Sequence, residues 1–151
     1  MNNVKRAIIA LSLFYGLSVV MAPVQAADLS KTWAGIAIDG YDATSYFIAG
    51  EARTGDKRYE FQWQGATWRF ATEQGRDKFA ANPDRYRPEY GGFCANGMSE
   101  GHKIEGSGTI WRIIDDKLYL FYADRGRQRW ASNASQWIKD ADLNWQRLKN
   151  E

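Results

Sequence analysis

The sequence predicts a single α+β domain, in which two antiparallel hairpins form a small sheet and short helices, with a longer helix at the C-terminus, pack against it. Three stretches carry that expectation. Tyr59-Glu60-Phe61-Gln62-Trp63-Gln64 and Ala66-Thr67-Trp68-Arg69-Phe70-Ala71 alternate apolar with polar residues around Gly65, the period of two that a half-buried strand requires. Thr109 to Ile114 and Lys117 to Tyr122 form a second such pair across Asp115-Asp116. From Asp124 onward the period changes: Trp130, Ala134, Trp137, Ile138, Ala141, Trp145 and Leu148 recur at steps of three and four, a helical stripe that needs a surface to cover.

The first 26 residues read as a signal peptide. Lys5 and Arg6 precede the apolar run Ala7 to Ala22, and Val24-Gln25-Ala26 places small residues where a signal peptidase cuts. The run is shorter than the roughly 20 residues of a membrane span, and Ser12, Gly16 and Ser18 dilute it. No cysteine follows it to carry a lipid. Cleavage after Ala26 leaves residues 27–151 as one domain, periplasmic or secreted. Formal net charge over the whole sequence is +2. Lys5 and Arg6 are the only charges in the leader, so the exported form is close to neutral, which argues against nucleic acid or an anionic membrane as a bulk electrostatic partner. Its one cysteine cannot form an internal disulfide, so packing must stabilise it.

In chain order, Asp28 to Thr32 is a polar lead, and Gly35 to Asp42 mixes apolar alternation with turn residues. Ala43 to Ile48 is apolar enough for a short strand, and Gly50 to Lys57 is a polar connection. The first hairpin follows, with Tyr59, Phe61, Trp63, Trp68 and Phe70 as its buried face. Thr72 is a plausible N-cap and Glu73 suits the positive end of a helix, which Asn82-Pro83 stops. Pro83 to Tyr86 adds one turn. Arg87-Pro88-Glu89-Tyr90-Gly91-Gly92 is a bend, and Phe93 to Glu100 a second short helix that Gly101 terminates. Glu105-Gly106-Ser107-Gly108 lacks the Lys-Ser/Thr ending of a phosphate cradle. Arg125, Arg127 and Arg129 would fan around the last helix as a solvated face.

Chemistry concentrates in Cys94-Ala95-Asn96-Gly97-Met98-Ser99-Glu100-Gly101-His102, which holds the only cysteine, methionine and histidine that follow the leader. Thiolate, thioether and imidazole are the donors that select Cu(I) over hard cations. On a straight helix residues eight apart are about 12 Å apart along the axis, so Cys94 and His102 share an ion only if Gly97 or Gly101 folds the chain back. Other readings stay open: Cys94 as a small buried residue, Met98 as core filler and His102 as a loop residue, or Cys94 as a reactive thiol at a helix N-terminus that pairs with a partner protein. The absence of a Cys-x-x-Cys pair excludes a self-contained thiol exchange. No partner for histidine-dependent catalysis is evident, and Asp39 with Asp42 and Asp115 with Asp116 lie in turn contexts. Tyr41, Tyr46 and Tyr90 either line an aromatic pocket with Cys94 or belong to the core.

Tyr59, Gly65-Ala66-Thr67-Trp68-Arg69-Phe70-Ala71-Thr72, Phe79 and Asn82-Pro83-Asp84-Arg85-Tyr86 together resemble the YHS domain. Gly40-Tyr41-Asp42-Ala43-Thr44-Ser45-Tyr46-Phe47, Tyr90-Gly91-Gly92-Phe93-Cys94-Ala95, Lys117-Leu118-Tyr119-Leu120 and Asn144-Trp145 extend the likeness to a branch of small exported single-domain YHS proteins, over roughly Gly35 to Leu148. The resemblance implies metal binding through two cysteines after the aromatic-x-Phe step. Those positions are Ala71 and Gly75 here, which leaves Cys94 as the sulfur ligand the pattern retains. The expectation is therefore a non-enzymatic exported protein that binds or buffers a soft metal, a copper ion first, at Cys94 with Met98 or His102. The alternative is an interaction module that docks a protein partner through an aromatic surface or the free thiol.

Overall fold

The computed structural model describes residues 28–32, 34–149 and 151, and the expected signal peptide lies outside them. The α+β class holds. Its helices are α1 (Ser45–Ile48), α2 (Glu73–Ala81), α3 (Pro83–Tyr86), α4 (Ala95–Ser99) and α5 (Asp124–Leu148), and its strands β1 (Asp56–Trp63), β2 (Ala66–Phe70), β3 (Ser107–Ile114) and β4 (Lys117–Phe121). The hairpins do not merge into one sheet. Among the described residues β1 pairs only with β2 and β3 only with β4, giving two separate two-stranded sheets.

Both hairpins turn on two residues in the left-handed region, Gln64 and Gly65 (φ 49° and 74°) in the first, Asp115 and Asp116 (φ 49° and 63°) in the second. Two central residues of positive φ give the twist that matches paired strands. In the first hairpin Phe61 faces Trp68 and Trp63 faces Ala66. Trp68 and Phe70 are buried, while Tyr59, Phe61 and Trp63 are half-buried, so the expected aromatic face is present. Phe79 of α2 closes it, its ring centroid 4.8 Å from Trp68 and 5.1 Å from Phe70. Thr72 caps α2 by accepting from the Gly75 N–H at 3.0 Å.

The strand expected over Ala43–Ile48 is instead a turn leading into α1. Local polar bonds decide this. One Asp42 carboxylate oxygen accepts from the Thr44 N–H at 2.8 Å and from the Thr44 hydroxyl at 2.7 Å, and the Asp42 carbonyl accepts from the Ser45 hydroxyl at 2.8 Å. Such bonds offer the backbone an alternative to a ladder, and here they win over apolar composition. The second carboxylate oxygen accepts from the Ala71 N–H at 2.9 Å, which ties this turn to the start of α2. Tyr46, fully buried, donates to the Gly108 carbonyl at 2.8 Å and so reaches β3.

β4 sits between two apolar cores. Leu118 and Leu120 face the core of Trp68, Phe70 and Phe79, whereas Tyr119 and Phe121 face a second core of Tyr90, Met98 and Trp130. Alternation along a strand sends successive side chains to opposite faces, and β4 is buried on both. α5 covers the second core with Trp130, Ala141 and Leu148 from the predicted stripe. It is not one straight rod: Asn133 (φ −158°, ψ 57°) leaves helical geometry and divides it.

Candidate functional site

The segment around Cys94 is shaped by the glycines before and after it. Tyr90 and Gly91 adopt φ of 53° and 62°, and a Cβ on Gly91 would lie 2.1 Å from the Asp28 carbonyl oxygen, so only glycine fits there. The Tyr90 hydroxyl donates to Asp142 at 2.9 Å, which braces this turn against α5. Burial, and the Asp142 charge next, push the Tyr90 pKa far above the ordinary tyrosine value. Emerging from the turn, Cys94 takes the N-cap position of α4, where its Sγ accepts from the Gly97 N–H at 3.4 Å. The helix is shorter than the expected Phe93–Glu100.

Gly101 ends it as predicted. Its N–H donates to the Met98 carbonyl at 3.0 Å and the His102 N–H to the Gly97 carbonyl at 2.8 Å, a Schellman arrangement around a left-handed glycine (φ 80°). The chain then returns along Cys94: the Cys94 N–H donates to the Ile104 carbonyl at 2.7 Å, and Phe93 pairs antiparallel with Glu105. Asn144 of α5 holds the end of α4 by donating to the Met98 carbonyl at 3.0 Å.

The backbone fold-back that a Cys94–His102 pair requires is therefore present. The side chains part company. Met98 is fully buried in the second core, His102 is exposed, and Cys94 is 4% exposed. Among the described residues no group of three or more His, Cys, Asp or Glu side chains is placed to hold a metal ion. Ala71 and Gly75, where the resemblance puts cysteines, both lie against Asp42. A Cβ on Gly75 would stand 3.2 Å from the Asp42 carboxylate and 2.9 Å from the Thr44 hydroxyl. Of the tyrosines, Tyr90 shares a core with Cys94, while Tyr41 and Tyr46 belong to the other one.

Cys94, though buried, borders open space. It lines an open cleft of about 400 Å³ between α4 and the first turns of α5, with Asn96, Glu100, Ile104, Tyr122, Arg125 and Arg129 around it; Met98 and His102 do not contribute to the lining. Close approach of the two helices forms it, since a Cβ on Gly126 would meet the Asn96 Cβ at 3.0 Å. The three arginines expected as a solvated face have separate fates. Arg127 pairs with Asp124 at 2.6 Å. Arg129 pairs with Glu100 across the cleft and lies 4.1 Å from the Trp137 ring centroid. Arg125 lines the cleft and has no ion pair among the described residues. Arg125 and Arg129 are four apart in sequence and so share a helix face, which brings both to the cleft. That spacing is legible in the sequence; the identity of the facing element is not.

Compared with known proteins, the chain matches no protein-family model, no curated protein sequence and no solved structure.

Proposed function

We propose that the chain is a non-enzymatic, exported binding protein of the YHS type whose working surface is the cleft between α4 and the start of α5, with the Cys94 thiol on its lining. One observation carries this reading: the single cysteine that follows the leader lines an open cleft, and the charged residues beside it come from two different elements. A thiol so placed meets a docked partner, with which it forms a mixed disulfide by exchange with the partner's own disulfide, releasing one partner thiol. The interaction reading is favoured over the three-donor metal site because Met98 is committed to the core. The decisive measurement is thiol labelling of the purified protein, with and without denaturant. Cys94 is expected to react in the native state. Reaction only after unfolding would show an enclosed core cysteine and end this proposal.

A soft-metal reading has one feature in its favour, the turn at Gly101 that brings the chain after α4 back beside Cys94. In it, copper is held by Cys94 and an imidazole from His102, Met98 taking no part. Purified protein loaded with Cu(I) under reducing conditions and dialysed against a chelator would retain metal, and Cys94→Ala and His102→Ala would each lose it, while Met98→Leu would keep it. Retention equal to that of Cys94→Ala removes copper.

A further inference from the structure

We infer that the cleft receives a segment of a partner polypeptide in which a carboxylate stands beside an apolar side chain. The inference rests on the cleft being the working surface. Of the large apolar side chains exposed among the described residues, Ile48, Ile104, Tyr122 and Leu143, two border this one cleft: Ile104 is 42% exposed and Tyr122 67%. Single exposed apolar residues are ordinary on a protein surface, but two on the rim of one groove form a contact patch.

Charge sets the rest of the ligand. The lining carries two cations and one anion, and the anion, Glu100, already neutralises Arg129. Among the described residues, Arg125 is the unmatched charge of this lining. It projects from the first turn of α5, where Ala123 occupies the cap position and no side chain among the described residues caps the leading amides. The positive end of the helix therefore adds to the Arg125 field, while Asp124, the carboxylate in that turn, is held by Arg127 and Gln128. A small inorganic anion would satisfy Arg125 and leave Ile104 and Tyr122 in water. A wholly apolar ligand would cover those two and strip Arg125 of water without replacing it, which is unfavourable. A polypeptide segment with Asp or Glu two positions from a bulky apolar residue meets both demands, because in an extended segment alternate side chains share one face about 6–7 Å apart.

The test is selection of a random peptide library displayed on phage against the purified protein, with Arg125→Glu and Tyr122→Ala selected in parallel. Enriched peptides are expected to carry Asp or Glu two positions from Leu, Ile, Phe or Trp. Their binding is expected to fall at least about tenfold in Arg125→Glu, more modestly in Tyr122→Ala, and with added salt. Bound peptide is also expected to slow labelling of Cys94. Enrichment without acidic residues, binding indifferent to Arg125→Glu, or no enrichment at all overturns the inference, as does protection of Cys94 by inorganic phosphate equal to that by peptide. Native-state labelling of Cys94 separates the two levels: if it occurs while the selection fails, the cleft remains the working surface and only the polypeptide is lost.

Discussion

The two cores that share β4 are built on different principles. The core of Trp68, Phe70 and Phe79 is centred on a hairpin and the helix that directly follows it, whose cap, Thr72, bonds a residue three positions away, with Leu29, Ile38, Tyr46, Leu118 and Leu120 closing it from elsewhere in the chain. The core of Tyr90, Met98 and Trp130 is assembled from segments distant in sequence, pinned by the Tyr90–Asp142 and Asn144–Met98 hydrogen bonds and the Arg129–Glu100 ion pair. Both pack rings on rings, Trp68 on Phe79 in the first and Tyr119 and Phe121 on Trp130 in the second. The second holds two helices in close approach at Gly126, yet it leaves between them a cleft that Cys94 lines. On the proposed function, the difference places the binding cleft at the edge of the second region, while the first contributes packing alone. β4, buried on both faces, obliges the two to fold together.

The strongest way to break that division is to empty the first core. Phe79→Ala should cost about 3–5 kcal/mol, because it removes a fully buried ring that contacts Trp68 and Phe70. If β4 couples the cores, urea denaturation followed by amide exchange in β1–β2 and in α4 should show both regions shifting together in one transition. Separate midpoints, with α4 protected after the hairpin has opened, would make the cores independent. Phe79→Leu, which keeps most of the apolar volume, should show the same coupling with a smaller shift if the alanine variant fails to fold.

Alkaline stability sharpens the comparison further, since each core has tyrosines whose pKa values are raised, first by burial. Tyr46 lies in the first core, Tyr90 and Tyr119 in the second. A phenol held neutral in the fold but ionising near pH 10 when unfolded stabilises the fold fully below that pH. Above it the unfolded chain binds fewer protons, so stability falls with rising pH, by up to about 1.4 kcal/mol per pH unit for each such group. Urea midpoints between neutral and strongly alkaline pH should decline beyond about pH 10. Tyr90→Phe and Tyr46→Phe should each flatten the decline, whatever they do to stability at neutral pH. An unchanged slope in Tyr90→Phe would mean that the phenol is not held neutral by the fold.

Legibility follows the same boundary. The first hairpin, its buried aromatics, the Thr72 cap and the stop at Asn82-Pro83 rest on interactions within a few residues, and alternation and cap chemistry expose those directly. The Gly101 stop was readable for the same reason. Ala43–Ile48 misled because its fate rests on Asp42 side-chain bonds, one of them to Ala71, that apolar composition does not show. The break at Asn133 likewise leaves the three-and-four spacing of α5 intact. At the candidate site, spacing alone placed Cys94, Met98 and His102 together, but which way each points depends on α5 and β4 packing around α4. Met98 went inward and His102 outward. Arg125 and Tyr122 joined Cys94 only through tertiary approach.

The smallest expected effect bears most directly on why Cys94 is a cysteine. Thr72 and Cys94 occupy the same position, each at the head of a short helix and each accepting from the N–H three residues on, at 3.0 Å for oxygen and 3.4 Å for sulfur. Thr72→Ala should cost about 1 kcal/mol, the usual loss of an N-cap. Sulfur is a weaker acceptor, so Cys94→Ala should cost less than Thr72→Ala through the cap, and Cys94→Ser, which restores a preferred capping oxygen, should be within about 1 kcal/mol of the parent. Urea midpoints of the three variants decide the matter. If Cys94→Ser is as stable as the parent yet loses the capture of a partner or of Cu(I), capping does not explain the thiol and its chemistry does. If instead Cys94→Ser and Cys94→Ala both lose more than Thr72→Ala, the sulfur is there for packing in the second core, and the division between the two regions collapses.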